Sequence, residues 1–291
     1  MVKISRYTDP AAYLARAESF WLRNEAANCL SIGLTNSLIQ NVTQFGQQQP
    51  YLAILTDDAG EIVLTALRTP PRGLILSVAD WPVALDALIE DPQSMYESLP
   101  TVLGEVELAR QFAECWSARK GVTTRMQMPE RIYQVHTVKV PTGVPGFMRR
   151  ITPEDRSLLI DWMVAFEIEA FGAQETPREN FNNWVDGGLS FAHRGIYLWE
   201  DPANGGVVSM VGHTGPTPHG MRVGPVYTPP EKRGHGYASA CTAGVTQTLL
   251  DSGRTFCFLY TNLNNPTSNK IYQQIGYEPV IDCAMYSFDA S

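Results

Sequence analysis

VGPVYTPPEKRGHGYASACTAGVTQTLLDSGRTFCFLYTNLNNPTSNKIYQQIGYEPV, running from Val223 to Val280, is the stretch whose reading decides the fold. It holds a β-rich segment (Val223–Thr228), a glycine turn, a small-residue helix (Ser239–Leu250), a strand (Phe256–Thr261) and a further helix (Pro266–Ile275). The turn reads Arg233-Gly234-His235-Gly236-Tyr237-Ala238. Glycine suits it because a Cβ would keep the backbone away from an anion's oxygens. The helix that follows adds unpaired first-turn N–H groups and the positive end of its dipole. Successive amides in such a turn form an anion-binding nest, so the pattern predicts a phosphate or diphosphate held by main chain around 233–238.

Other glycine-rich loops fit less well. A dinucleotide fingerprint wants a third glycine where Ser239 stands and an acidic residue about 20 positions further on. A nucleoside-triphosphate loop wants Gly-Lys-Ser or Gly-Lys-Thr, which does not follow. The remaining structural reading is a strand-to-helix turn that merely tolerates glycine.

Beyond the turn the order continues as Asn265-x-x-Ser268-x-x-x-Tyr272-x-x-x-Gly276-Tyr277. Taken with Arg-x-x-Gly-x-Ala, this resembles the GNAT superfamily of acyl-CoA N-acyltransferases, closely over Val223–Val280 and by pattern over the rest of the C-terminal half. The resemblance implies an acetyl-CoA-dependent N-acetyltransferase acting on a primary amine. Arg233, Gly234, His235, Gly236, Tyr237 and Ala238 would cradle the coenzyme A pyrophosphate, with His235 contributing its amide rather than its ring. Main-chain groups of Val226, Tyr227 and Thr228 would meet the pantetheine arm, and the Val226 or Tyr227 amide would polarise the thioester carbonyl. Asn265 and Ser268 would bond the cofactor. Tyr272 would be the general acid, because a phenol with a pKa of about 10 can protonate a leaving thiolate. Helix physics offers plain alternatives: Asn265 before Pro266 as an N-cap, Ser268 as a solvated helix serine, Tyr272 as a packing aromatic, and Tyr277 as core.

The general base is less defined. Many relatives carry a carboxylate on the strand before the turn, whereas Met221–Pro230 contains no Asp, Glu or His. Glu167, Glu169 and His213 are the candidate replacements, and two glutamates two positions apart on a helix cannot both face one cleft. The missing carboxylate keeps a second class open, a non-catalytic acyl-CoA-binding sensor or regulatory module.

Composition bounds the remainder. With 291 residues, 44% hydrophobic and 18% charged, the chain reads as a folded protein long enough for two domains. It shows no run of about 20 apolar residues, and MVKISRYTDP lacks the apolar core of a signal peptide, so a cytoplasmic location is expected. On that expectation Asn41-Val42-Thr43 is not a glycosylation site. The formal charge of −8 disfavours nucleic acid as a partner and suits a cationic small-molecule or peptide amine, and an oligomer stays open. Five widely spaced cysteines indicate neither a disulfide framework nor a zinc site.

The fold class expected is α/β (α+β): a mixed, mostly antiparallel sheet with helices on both faces, in two tandem domains. The C-terminal domain, 147–291, would hold strand Phe147–Ile151, a helix from Pro153 to about Ala170, a helix over Arg178–Val185, strands Gly195–Trp199, Val207–His213 and Met221–Thr228, and two closing strands. Pro141–Gly146 reads as the linker. Residues 1–140 follow the same order more faintly: helix Pro10–Ile39, strands at 51–55, 61–67 and 73–78, helix Trp81–Ile89, strand 101–103, helix Glu105–Arg119 and strands 124–128 and 132–140. This half has no glycine turn, and Asp80 stands as a helix N-cap where a phosphate would otherwise sit, so it reads as a degenerate copy.

Overall fold

The structure is a computed structural model that describes residues 2–79, 85–172, 176–190 and 194–290. The Asp80 cap and the start of the helix expected at Trp81 lie outside the described residues. Along the chain the elements are β1 (Lys3–Tyr7), α1 (Pro10–Leu22), α2 (Cys29–Gln40), β2 (Tyr51–Thr56), β3 (Ile62–Arg68), β4 (Leu74–Leu76), α3 (Leu85–Met95), β5 (Thr101–Glu105), α4 (Val106–Lys120) and β6 (Val122–Val135). They continue with β7 (Phe147–Arg150), α5 (Arg156–Phe171), α6 (Arg178–Ser190), β8 (Gly195–Asp201), β9 (Gly206–Pro216), β10 (Gly220–Tyr227), α7 (Tyr237–Asp251), β11 (Phe256–Asn262), α8 (Pro266–Gln274) and β12 (Glu278–Ala290).

Two compact units emerge. The first comprises Met1–Ile132, Thr261–Pro266 and Pro279–Ser291; the second comprises Tyr133–Tyr260 and Thr267–Glu278. In the first, the strand order is β1-β2-β3-β4-β5-β12-β6. Strands β1 to β4 pair antiparallel, β4 and β5 pair parallel, and β12 runs antiparallel to β5 with Cys283 opposite Glu105 and Ser287 opposite Thr101. The first long segment of this unit ends at Ile132. Residues 279–291 count with the first unit because their ladder completes its sheet.

Alternation along β2 sorts the first unit into two layers. Tyr51, Ala53 and Leu55 pack with Leu88 of α3 and Phe112 and Trp116 of α4, while Leu52 and Ile54 pack with Tyr13, Trp21 and Ile32 of α1 and α2. A period of two along a strand produces this sorting and covers both faces with helices. The single helix expected over Pro10–Ile39 is broken between Leu22 and Cys29. Asn28 donates from Nδ2 to the Trp21 carbonyl at 3.3 Å and accepts from the Val78 N–H at 3.0 Å, so its side chain competes with continued helical bonding. The strands expected at 124–128 and 132–140 are one strand, β6, which ends at Val135. Pro129 does not interrupt it, and its carbonyl accepts from Leu263 N–H at 2.9 Å.

The second unit orders its strands β11-β10-β9-β8-β7, antiparallel except for β10 beside β11. Ile196 and Leu198 of β8 face Leu159 and Met163 of α5 and Val185 of α6; Tyr197 and Trp199 lie on the other face, with Ala243 and Val245 of α7. The helix expected from Pro153 opens as a 3-10 turn, Pro153–Asp155, whose Asp155 carboxylate accepts from Thr152 N–H at 2.8 Å. Beyond Tyr277 the two closing strands are the single β12. No helix among the described residues is long and apolar enough to cross a membrane, and none of the five cysteines forms a disulfide.

Candidate functional site

The parallel ladder between β10 and β11 pairs Gly220, Met221 and Arg222 with Phe256, Cys257 and Phe258 and stops there, although β10 continues to Tyr227. On its other edge β10 bulges against β9: Val223 faces His213, but Val226 faces Val211. Past Arg222, β10 thus offers an edge without ladder partners among the described residues, a template for an amide-bearing ligand laid along it. Part of that template is already used. The Tyr227 carbonyl accepts from Ser209 Oγ at 3.1 Å, the Thr228 carbonyl accepts from Arg233 Nε at 2.9 Å, and Thr228 Oγ1 lies 2.8 Å from Ser209 Oγ.

The chain then enters the turn. Gly234 and Gly236 have φ of +83° and +81°, the left-handed region where a Cβ is strained. A Cβ on Gly236 would also lie 3.1 Å from Val144 Cγ2. Among the described residues, none accepts a hydrogen bond from the amides of Gly234, His235, Gly236, Tyr237, Ala238 or Ser239, and the first bond into α7 runs from Ala240 N–H to the Gly236 carbonyl at 3.0 Å. An unsatisfied amide run at a helix N-terminus is what a diphosphate requires, so the residues present fit coenzyme A.

The side chains of the turn brace it rather than point into it. Arg233 Nη2 lies 2.6 Å from Glu169 Oε2, joining the turn to the end of α5. His235 Nδ1 is 2.9 Å from the Arg233 carbonyl, and its ring stacks on Tyr237 with centroids 5.4 Å apart. Tyr237 is buried, and its hydroxyl donates to Asp201 Oδ2 at 2.7 Å.

Beside the turn opens a cavity of about 380 Å³, lined by Lys139, Thr142, Gly236, Ser239, Gln274 and Ile275 among others. The sequence reading missed this role for Lys139 and Thr142, because prolines and glycines mark 141–146 as a connection without saying what it covers. Ser239 shows in the sequence only as the start of the small-residue helix, at a position where a dinucleotide loop would carry glycine.

Tyr272 lies on α8 in the core beneath α7, with ring centroids 6.4 Å from Tyr133 and 6.0 Å from Tyr277. Burial pushes its hydroxyl up to about 12, so it stays protonated at neutral pH. Tyr133, also absent from the sequence reading, donates to Asn269 Oδ1 at 3.1 Å and accepts from Gln273 Nε2 at 3.2 Å, fixing the helix that carries Tyr272. The Tyr277 hydroxyl pairs with Thr246 Oγ1 at 2.8 Å and is core. Ser268 sits in the first turn of α8. Asn265, counted with the first unit, donates its N–H to the Asn262 carbonyl at 3.0 Å.

The three base candidates are separated by environment. Glu169 is half-exposed and paired with Arg233. Glu167 is buried, not solvated: Oε1 accepts from Thr176 N–H at 3.0 Å and from Thr176 Oγ1 at 2.5 Å, while Oε2 is buried with no hydrogen-bond partner among the described residues. His213 lies inside β9 rather than at its end, is buried, and sits 6.0 Å from the Tyr197 ring. On β10 itself, Trp162 of α5 packs edge-on to Tyr227 at 5.8 Å, placing α5 against the strand that leads into the turn.

Residues 204–285 match the FR47-like protein family. No curated protein matches the chain. Among solved structures, a GCN5-related N-acetyltransferase from Sphaerobacter thermophilus is 16% identical with a TM-score of 0.62, over 98% of this chain and 94% of that one. A GNAT-family acetyltransferase from Colwellia psychrerythraea is 11% identical with a TM-score of 0.55, over 99% and 100%. A tandem GNAT protein from the clavulanic acid biosynthesis pathway is 12% identical with a TM-score of 0.53, over 100% and 98%. The chain has the acyl-CoA N-acyltransferase fold of the GNAT superfamily.

Proposed function

We propose that the protein is an acetyl-CoA-dependent N-acetyltransferase whose acceptor is a primary amine on a small molecule or peptide. The observation that carries this reading is the run of unpartnered amides from Gly234 to Ser239, beside the point where β10 and β11 part. When bound, acetyl-CoA would supply an acyl thioester, whose C–S bond breaks as the amine nitrogen bonds to the carbonyl carbon. The amides of the turn would hold its diphosphate, and the Val226 or Tyr227 amide would donate to the carbonyl oxygen. Tyr272 would deliver its proton to the departing sulfur. Glu167 is the base that the geometry favours, because one carboxylate oxygen is pinned by Thr176 and the other has no partner among the described residues, whereas Glu169 is committed to Arg233. The −8 formal charge favours approach of a cationic amine. We place the protein in the cytoplasm on its sequence.

The sensor reading is favoured by one feature, the absence of any Asp, Glu or His on β10. Acetyl-CoA binding measured by calorimetry, together with thiol release across a panel of amines, separates the two. Binding with amine-dependent thiol release supports the transferase, binding without release leaves the sensor, and no binding overturns both.

A further inference from the structure

The sheet of the second unit brings two guanidinium groups together on the face covered by α5 and α6. Thr214 of β9 stands opposite Arg222 of β10, and His213 stands opposite Gly195 of β8, so Arg222 and Arg194, just ahead of β8, flank β9 at one level. Met221 and Val223 pack in the layer beneath α7, whereas Ile196 packs against α5 and α6, and alternation from these turns both arginines to the α5–α6 side. Both are half-buried. Burial lowers the Arg194 guanidinium from its ordinary value, and the charge of Arg222 lowers it further. Arg194 Nε is buried with no hydrogen-bond partner, and neither arginine forms an ion pair or side-chain hydrogen bond among the described residues. Two like charges held this close, with no carboxylate to offset them, gain most from an anion that bridges them. Arg222 is also the last residue of β10 that pairs with β11, so the pair stands where the open edge of β10 begins. In the same helical layer, α5 carries Glu167, whose Oε2 is buried with no partner among the described residues.

We propose that Arg194 and Arg222 bind a carboxylate on the acceptor, which makes the substrate class an amine that also bears a carboxylate, such as an amino acid. The inference rests on the proposed transferase reading and narrows its acceptor. A guanidinium offers a carboxylate two parallel hydrogen bonds, and two guanidiniums fix the anion at the head of the β10 edge. The formal charge of −8 draws in cations, but this local pair rewards a zwitterion over a plain cationic amine. Neither arginine is assigned a part in bond making; together they orient the acceptor.

Initial rates of thiol release by the full-length protein test this, with acetyl-CoA as donor and matched acceptors: phenylalanine, phenylalaninamide and phenethylamine; alanine, alaninamide and ethylamine; and phosphoethanolamine as a phosphate-bearing amine. The unaltered protein is expected to favour the carboxylated member of each set by about tenfold or more in kcat/KM. R194Q and R222Q are expected to erase that preference through KM, with coenzyme A affinity by calorimetry unchanged, and R222K, which keeps the charge without the fork, to fall between. Urea midpoints of R194Q and R222Q should hold or rise, because each relieves a like-charge contact. Equal use of acid, amide and decarboxylated amine, or equal losses on all three in R222Q, overturns the carboxylate site and leaves the transferase reading intact. Preference for phosphoethanolamine makes the anion a phosphate and overturns it likewise. Lower urea midpoints in both variants with acceptor preference retained make the pair structural and overturn the site as well. Absence of thiol release with every acceptor removes the transferase reading and this one with it.

Discussion

The Tyr237 hydroxyl donates a 2.7 Å hydrogen bond to Asp201 Oδ2, tying the first residue of α7 to the last residue of β8. Both side chains are buried, and the Asp201 carboxylate also accepts from Asn204 Nδ2 at 2.7 Å and from Ala203 N–H at 3.1 Å. Those bonds hold the Asp201 carboxyl below its ordinary value, with Asn204 the larger cause and Tyr237 the next. The amides proposed to hold a diphosphate are therefore positioned by a polar contact that contains none of the glycines. Replacing Tyr237 with Phe keeps the packing and deletes the bond. A loss of about 1–3 kcal/mol in urea-measured stability is expected, with a weaker coenzyme A titration. Unchanged stability and affinity would show that the contact does not set the turn.

A second carboxylate sets the acid limit of the fold. Arg149 grips Asp155 with both ends of its guanidinium, Nη1 to Oδ2 at 2.7 Å and Nη2 to Oδ1 at 2.8 Å, and this pairing is the main cause that lowers the Asp155 carboxyl from its ordinary value. Because the folded-state carboxyl ionises at lower pH than in the unfolded chain, its contribution is complete above the unfolded value of about 3.9 and vanishes as pH falls through the depressed folded value. Urea midpoints are expected to fall steeply below about pH 4 in the unaltered protein. In D155N they should start lower at neutral pH and depend less on acid. Parallel acid curves for the two proteins would remove this pair as the cause.

Tyr272 is the next point of test. Its hydroxyl is held protonated by burial, and its helix is braced by Tyr133 through Asn269 and Gln273. Substitution by Phe should leave coenzyme A affinity nearly unchanged and lower kcat by about 10²–10⁴-fold, the usual worth of general acid assistance. Y133F should act more weakly, through the brace alone. A Tyr272→Phe enzyme with full turnover would take the phenol out of the mechanism.

How far the sequence carried the reading depends on which force a residue obeys. Gly234 and Gly236 were legible because the left-handed backbone there admits few other residues, and the unbroken apolar run Tyr51–Leu55 marked a strand buried on both faces. The destination of β12 was not legible. Its pattern says strand, but nothing local says that Cys283–Ser287 will pair with Glu105–Thr101 across the length of the chain. The break between α1 and α2 was hidden because apolar spacing continues past it while the decisive bonds come from one asparagine. Lys139 was hidden for a related reason: a connection's composition gives its flexibility, and its neighbours are set only by the tertiary fold.

Glu167 and Glu169 separate the two functional readings, because they stand two residues apart on α5 in opposite conditions. Glu169 neutralises Arg233 at the turn, while Glu167 is buried with one carboxylate oxygen held by Thr176 and the other without a partner among the described residues. A buried carboxylate oxygen without a donor is costly to keep, so an incoming ammonium or amine that donates to it gains a strong charge-assisted bond. In a transferase, E167Q removes the proton acceptor and should lower kcat by about 10²-fold or more with little change in coenzyme A affinity, while E169Q should act mainly on that affinity by releasing Arg233. In a sensor, neither substitution has a turnover to lower. Initial rates with the best amine, paired with calorimetry on both variants, distinguish these outcomes. Loss of turnover in E169Q alone, with E167Q unaffected, would move the base to the residue that pairs with Arg233.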